Sequence, residues 1–143
     1  MHRGSARGDK NHRSIVERLK EVISAITECF GAEEIILFGS FARGESSLES
    51  SMDMLVVART DVPFVERIVR VLECVPEGEP PVDVLVYTPE EISKKLEESE
   101  SFVMSAMHEG VLIWSKREKV DLETQLQQGK SQSEFKGLLR EVE

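Results

Sequence analysis

The chain has 143 residues and a mass of 16.1 kDa, a length that fits one domain and leaves little room for two. It is 40% hydrophobic and 31% charged, as soluble globular proteins are, and its 6% aromatic content predicts an aliphatic core. Lys and Arg number 18 against 27 Asp and Glu, so the net charge is −9 and the pI near 4.9. Such a surface repels phosphate backbones and argues against non-specific nucleic-acid binding, though not against one nucleotide held locally by backbone N–H groups and metal ions.

The longest apolar runs, residues 35–38 and 54–58, are too short to span a bilayer. The N-terminal Met1-His2-Arg3-Gly4-Ser5 has no apolar stretch behind it, which predicts no signal peptide, no membrane association and a cytoplasmic location. Cys29 and Cys74 each fall on the apolar side of a helical pattern and are expected as small core residues. No CxxC or paired-His spacing supports a zinc site.

Residues 1–13 are polar, with Arg3, Arg7, Lys10 and Arg13 against Asp9, and predict a disordered, locally basic tail. Ser14 and Glu17 form a capping box, after which Ile15, Val16, Leu19, Val22, Ile23, Ile26 and Phe30 recur at helical spacing until Gly31. The unalternating run Ile35-Ile36-Leu37-Phe38 predicts a strand buried on both faces, broken by Gly39. Residues 40–51, small, polar and acidic, predict a turn with at most one turn of helix and then a loop. A second apolar strand follows over 53–58. Asp61 as cap and Pro63 near the first turn predict a helix with Phe64, Val65, Ile68, Val69 and Leu72 on its buried face.

Pro76, Gly78, Pro80 and Pro81 mark a loop, and residues 82–87 a third strand. Thr88-Pro89-Glu90-Glu91 opens a helix by cap, proline and acidic first turn, running to about Glu98. A short helix over 102–109 stops at Gly110, and residues 111–114 form a last strand. Tyr87 and Trp114 are expected to cover the core edge, Lys94 and Lys95 to face solvent, and His108 to lie at a helix end. Residues 116–143, rich in Lys, Glu and Gln, predict a polar C-terminal helix or a mobile tail. Strands alternating with helices over 14–115 point to a single α/β (α+β) domain built around a small sheet.

The chemistry concentrates in Gly39-Ser40-Phe41-Ala42-Arg43-Gly44, followed by Asp53 and later Asp83. A glycine turn after a buried strand leaves backbone N–H groups aimed outward, a cradle for phosphate oxygens that the Ser40 hydroxyl and the Arg43 guanidinium can complete. Asp53 and Asp83 interrupt apolar strands, where an ionised carboxylate is costly unless paired or bound to a cation. Hard cations such as Mg2+ take carboxylates together with substrate phosphates. The stretch is not a P-loop, because no GK[ST] follows the glycines.

These residues resemble a known family. The run from Gly39 to Gly44, then Ser51-Met52-Asp53-Met54-Leu55-Val56, then Asp83 on a later strand, resembles the minimal nucleotidyltransferases of the DNA polymerase beta superfamily. Glu109-Gly110-Val111-Leu112-Ile113-Trp114 is similar to the close of those small proteins. The resemblance implies a small mixed sheet with helices packed mainly on one face. It also implies transfer of a nucleoside monophosphate from an NTP to an acceptor hydroxyl, with Mg2+ or Mn2+ held by Asp53 and Asp83. Gly39, Ser40 and Arg43 would then bind the phosphates, and Asp83 would position a metal or activate the acceptor.

One departure stands out: the first aspartate of the family falls on Ser51. Residues i and i+2 of a strand face the same way, so Ser51 and Asp53 are the paired positions, and a neutral hydroxyl is a weak Mg2+ ligand. Glu45 and Glu49, in the preceding loop, are the nearest other carboxylates. Two readings follow: an active enzyme working with Asp53 and Asp83, or a catalytically weakened relative. The family resemblance implies a small helical protein partner and an antitoxin role for the second. It also allows a homodimer.

Overall fold

The computed structural model describes residues 7–44, 50–98 and 102–127, with side chains from residue 15 onward. A first helix, α1 (Arg7–Phe30), leads into strand β1 (Glu34–Phe38), the single turn α2 (Ser40–Arg43) and strand β2 (Met52–Val57). Then come helix α3 (Phe64–Cys74), strand β3 (Val82–Tyr87), helices α4 (Pro89–Leu96) and α5 (Phe102–Glu109), strand β4 (Val111–Ser115) and a short helix α6 (Leu122–Gln127). The four strands form one mixed sheet in the order β3-β2-β1-β4, with β2 and β3 parallel and β1 antiparallel to both its neighbours.

The internal strand β1 is apolar after Glu34 because both of its faces are covered. Ile35 and Leu37 enter the larger core, with Leu19, Val22 and Ile26 of α1 and Val71 of α3. Ile36 enters a smaller core on the other face, with Ile92 of α4 and with Val103 and Met107 of α5. Most of the helical packing therefore lies on one face of a small mixed sheet, and α4 and α5 form a thinner layer on the other. Tyr87 and Trp114 pack at the edges of these two cores, as their sequence positions predict.

The α4 prediction holds in detail. Thr88 is the N-cap, its hydroxyl accepts from the Glu91 N–H, the Glu91 carboxylate accepts from the Thr88 N–H, and Pro89 opens the helix. Gly110 is required by close approach: a Cβ there would lie 2.7 Å from the Ala106 carbonyl oxygen and 2.8 Å from Ile36 Cγ2 and the Leu37 carbonyl oxygen.

Three local expectations are corrected. Helix α1 begins at Arg7, so Ser14 lies inside it and residues 7–13, expected as a disordered tail, are helical. Extending an established helix adds one hydrogen bond per residue fixed, and Arg and Lys are good helix formers, so no apolar face is needed there. Helix α3 starts after Pro63 without a side-chain cap, so Asp61 does not cap it.

The face of α3 also differs. Its inward row is Arg67 and Val71, while Val65, Val69 and Leu72 are 70%, 50% and 69% exposed. The guanidinium of Arg67 sets this rotation: it donates to the carbonyls of Val62 and Val86 and to both carboxylate oxygens of Glu91, at 2.7–3.1 Å. A buried arginine with four charge-assisted hydrogen bonds fixes the helix more firmly than an apolar stripe that leaves solvent elsewhere for its valines.

Cys29 and Cys74 meet across the α1–α3 contact as free thiols, half-buried rather than deep in the core. Burial, and then the hydrogen bond with Cys29, push the Cys74 thiol up to about 12. Among the described residues no helix is long and apolar enough to cross a membrane.

Candidate active site

Because β1 runs antiparallel to β2, and β2 parallel to β3, the end of β1 and the starts of β2 and β3 meet at one edge of the sheet. The register places Phe38 opposite Asp53, and Asp53 opposite Asp83. Side chains alternate along a strand, so Asp53 shares its face with Leu55 and Val57, and Asp83 shares its face with Leu85 and Tyr87. Those apolar rows pack in the smaller core with α4 and α5. The two carboxylates continue the same rows past the end of the core, on strands about 4.8 Å apart. Asp53 is half-buried and Asp83, on the edge strand, is exposed.

Burial holds the Asp53 carboxyl above the usual carboxylate range, the negative charge of Asp83 raises it further, and a hydrogen bond from Ser51 opposes both. The Ser51 hydroxyl donates to Asp53 Oδ1 over 3.4 Å, a long contact from the residue two before it. Ser51 therefore lies where a second carboxylate on this face would lie, and supplies a neutral donor instead.

The turn after β1 closes the site from the other side. Gly39 has φ +82° and ψ −156° and is the N-cap of α2. A Cβ on it would lie 2.5 Å from Asp53 Oδ2, so the bare backbone of the turn is packed against the carboxylate. Ser40 is the first helical residue, and no side chain caps the turn. Arg43 ends α2 with its side chain exposed, and Gly44 closes the turn in the left-handed region. Glu45 and Glu49 lie outside the described residues.

The donor set is hard oxygen throughout: two carboxylates in register on adjacent strands and one serine hydroxyl. That chemistry fits a divalent cation which also takes oxygens from a bound phosphate. Among the described residues no group of three His, Cys, Asp or Glu is arranged to hold a metal unaided. A groove lined by Ile23, Thr27, Trp114 and Leu122 lies on the opposite face of the sheet, away from both carboxylates.

Residue-by-residue reading of the sequence did not bring an aromatic pair to this edge. Phe38, the register partner of Asp53, meets Phe102 at the start of α5, their ring centroids 5.2 Å apart and the planes at 74°. The available signal was the first position of α5, the second helix after β3, which only the sheet topology brings beside the end of β1.

The nucleotidyltransferase domain family matches residues 16–113 of this chain. No curated protein sequence matches it. Among solved structures, a candidate nucleotidyltransferase from Sulfolobus solfataricus is similar at 22% identity and a TM-score of 0.56, covering 85% of this chain and 98% of its own. A toxin–antitoxin structure with AMP-PNP is 18% identical with a TM-score of 0.42, covering 86% of this chain and 96% of its own. The family match takes in β1 to β3, the glycine turn and both aspartates, and the chain belongs to the nucleotidyltransferase domain family.

Proposed function

We propose that this protein transfers a nucleoside monophosphate from an NTP to an acceptor hydroxyl, at the sheet edge formed by Asp53, Asp83 and the Gly39 turn. The observation that carries this reading is the in-register pairing of Asp53 with Asp83, against which the backbone of Gly39 is packed. Two carboxylates so placed repel each other, and a bound cation relieves that repulsion. In the reaction the acceptor oxygen forms a bond to the α-phosphorus, the bond from that phosphorus to the pyrophosphate oxygen breaks, and the hydroxyl proton is lost. Asp53 and Asp83 are the residues that would hold Mg2+ or Mn2+. When bound, the ion supplies charge neutralisation of the triphosphate and polarisation of the reacting phosphoryl group. Gly39 and Ser40 offer backbone and hydroxyl donors to the phosphates, and Arg43 offers a positive charge. Asp83, the more exposed carboxylate, would either help hold that ion or activate the acceptor hydroxyl by taking its proton.

Ser51 favours a second reading, a weakened relative that acts as a binding partner of a small helical protein. The outward stripe Val65, Val69 and Leu72 on α3 is an apolar surface suited to such a partner, and the net charge of −9 favours a basic one.

Purified protein, incubated with Mg2+ or Mn2+ and NTPs labelled on the α-phosphate, separates the two readings. Label is followed into acceptors in a cell extract and into proteins that copurify. The expected result is weak transfer by the natural sequence, a rise of roughly a hundredfold in Ser51→Asp, and loss in Asp53→Ala. Transfer by the natural sequence sinks the binding-only reading. No transfer by either the natural sequence or Ser51→Asp sinks the enzyme.

A further inference from the structure

We propose that Phe102 is the surface on which the base of the bound nucleotide stacks, an inference that rests on the nucleotide reading above. Phe102 opens α5 and is 47% exposed, while Val103, Ala106 and Met107 of the same helix are buried. Among the described residues no other Phe, Tyr or Trp is classed as exposed. The other described rings lie elsewhere: Tyr87 lies against Phe64, and Phe30, Phe41 and Trp114 pack on the larger core of the opposite face.

Phe102 is held in place at the site. Its ring meets Phe38 edge-on at 5.2 Å, and Phe38 is the strand neighbour of Asp53 on the same face of the sheet. An aromatic ring braced by a second ring keeps its orientation and loses little conformational freedom when a ligand covers it. On the nucleotide reading, a triphosphate anchored at the Gly39 turn and the two aspartates would extend its base along the same face of the sheet, where Phe38 and Phe102 pair. A phenyl ring has a π face and no hydrogen-bonding group, so it accepts any base and distinguishes them only by the area they stack. The substrate class implied is a nucleoside triphosphate of relaxed base identity, with purines favoured by their larger rings.

The test uses the full chain with Mg2+ and two ligands, ATP and inorganic tripolyphosphate, titrated by calorimetry. The proteins are the natural sequence, Phe102→Leu, which keeps an apolar side chain against Phe38 but has no π face, and Phe102→Trp. Thermal melts establish that each is folded. Phe102→Leu is expected to weaken ATP roughly ten- to a hundredfold while leaving tripolyphosphate within about twofold. Phe102→Trp is expected to keep or tighten ATP binding, with indole fluorescence quenched by ATP and not by tripolyphosphate. If Phe102→Leu weakens the two ligands equally, or weakens neither, the stacking role is wrong and the nucleotide reading stands. If the natural sequence binds neither ligand, the nucleotide reading fails and this inference with it.

Discussion

Gly39 shows how a single position can tie the turn after β1 to the carboxylate at the sheet edge. At φ +82° and ψ −156° its backbone occupies a region that L side chains rarely enter, at a cost on the order of 1–3 kcal/mol for other residues. Its Cβ would also lie 2.5 Å from Asp53 Oδ2, a second and independent objection. Gly39→Ala is expected to lower unfolding free energy by about 2 kcal/mol, read from the urea midpoint. It is also expected to abolish Mg2+-dependent ATP binding, because Asp53 must move to admit the methyl group. A variant that loses stability and keeps full ATP affinity would show that the turn and the carboxylate act separately. Ser51 makes the opposite case: its place two residues before Asp53 is read from the sequence, and only the 3.4 Å contact shows that its hydroxyl faces that carboxylate.

At the scale of elements, α3 and α4 are joined by the Arg67–Glu91 pair, in which the arginine is buried and the glutamate partly exposed. Removing the guanidinium strands the carbonyls of Val62 and Val86 and leaves Glu91 without its main partner. Arg67→Met is expected to cost about 3 kcal/mol, at the low end of broken buried pairs because Glu91 stays in contact with solvent. The pair also predicts a pH dependence. The hydrogen bond from Arg67 holds the Glu91 carboxyl below its ordinary 4.5, and burial opposes this only in part. A carboxylate whose pKa is lowered by folding contributes stability that is present above its unfolded value and lost as pH falls through the lowered folded value. Urea midpoints measured against pH should therefore fall below about pH 4.5 in the natural protein and fall less steeply there in Arg67→Met. Equal slopes would mean that Glu91 gains nothing from Arg67.

At the scale of the whole molecule, the acidic charge sets what approaches. A net charge of −9 repels an extended phosphate backbone, while one nucleotide with its cation needs only the local field at the sheet edge. Duplex DNA titrated at low ionic strength, where such attraction is strongest, is expected to give no shift in an electrophoretic assay that still detects a basic control protein. Retention of the duplex would reveal a basic surface that the charge count conceals.

Sequence patterning alone located most of the elements and singled out the candidate site residues. The run 35–38 is buried on both faces, Thr88 caps α4 with Pro89 opening it as written, and Asp53 and Asp83 stand out because carboxylates in apolar strands need a reason. Periodicity failed on α3, since it counts apolar residues and gives no weight to a guanidinium that four inward hydrogen bonds hold beneath the helix. Tertiary structure decided the rest. Which strands are neighbours, and in what register, is fixed by pairing across the sheet, and only that pairing brings Asp53 beside Asp83 and Phe38 beside both Asp53 and Phe102. Residues far apart in the chain become neighbours through long-range packing, which no local pattern encodes.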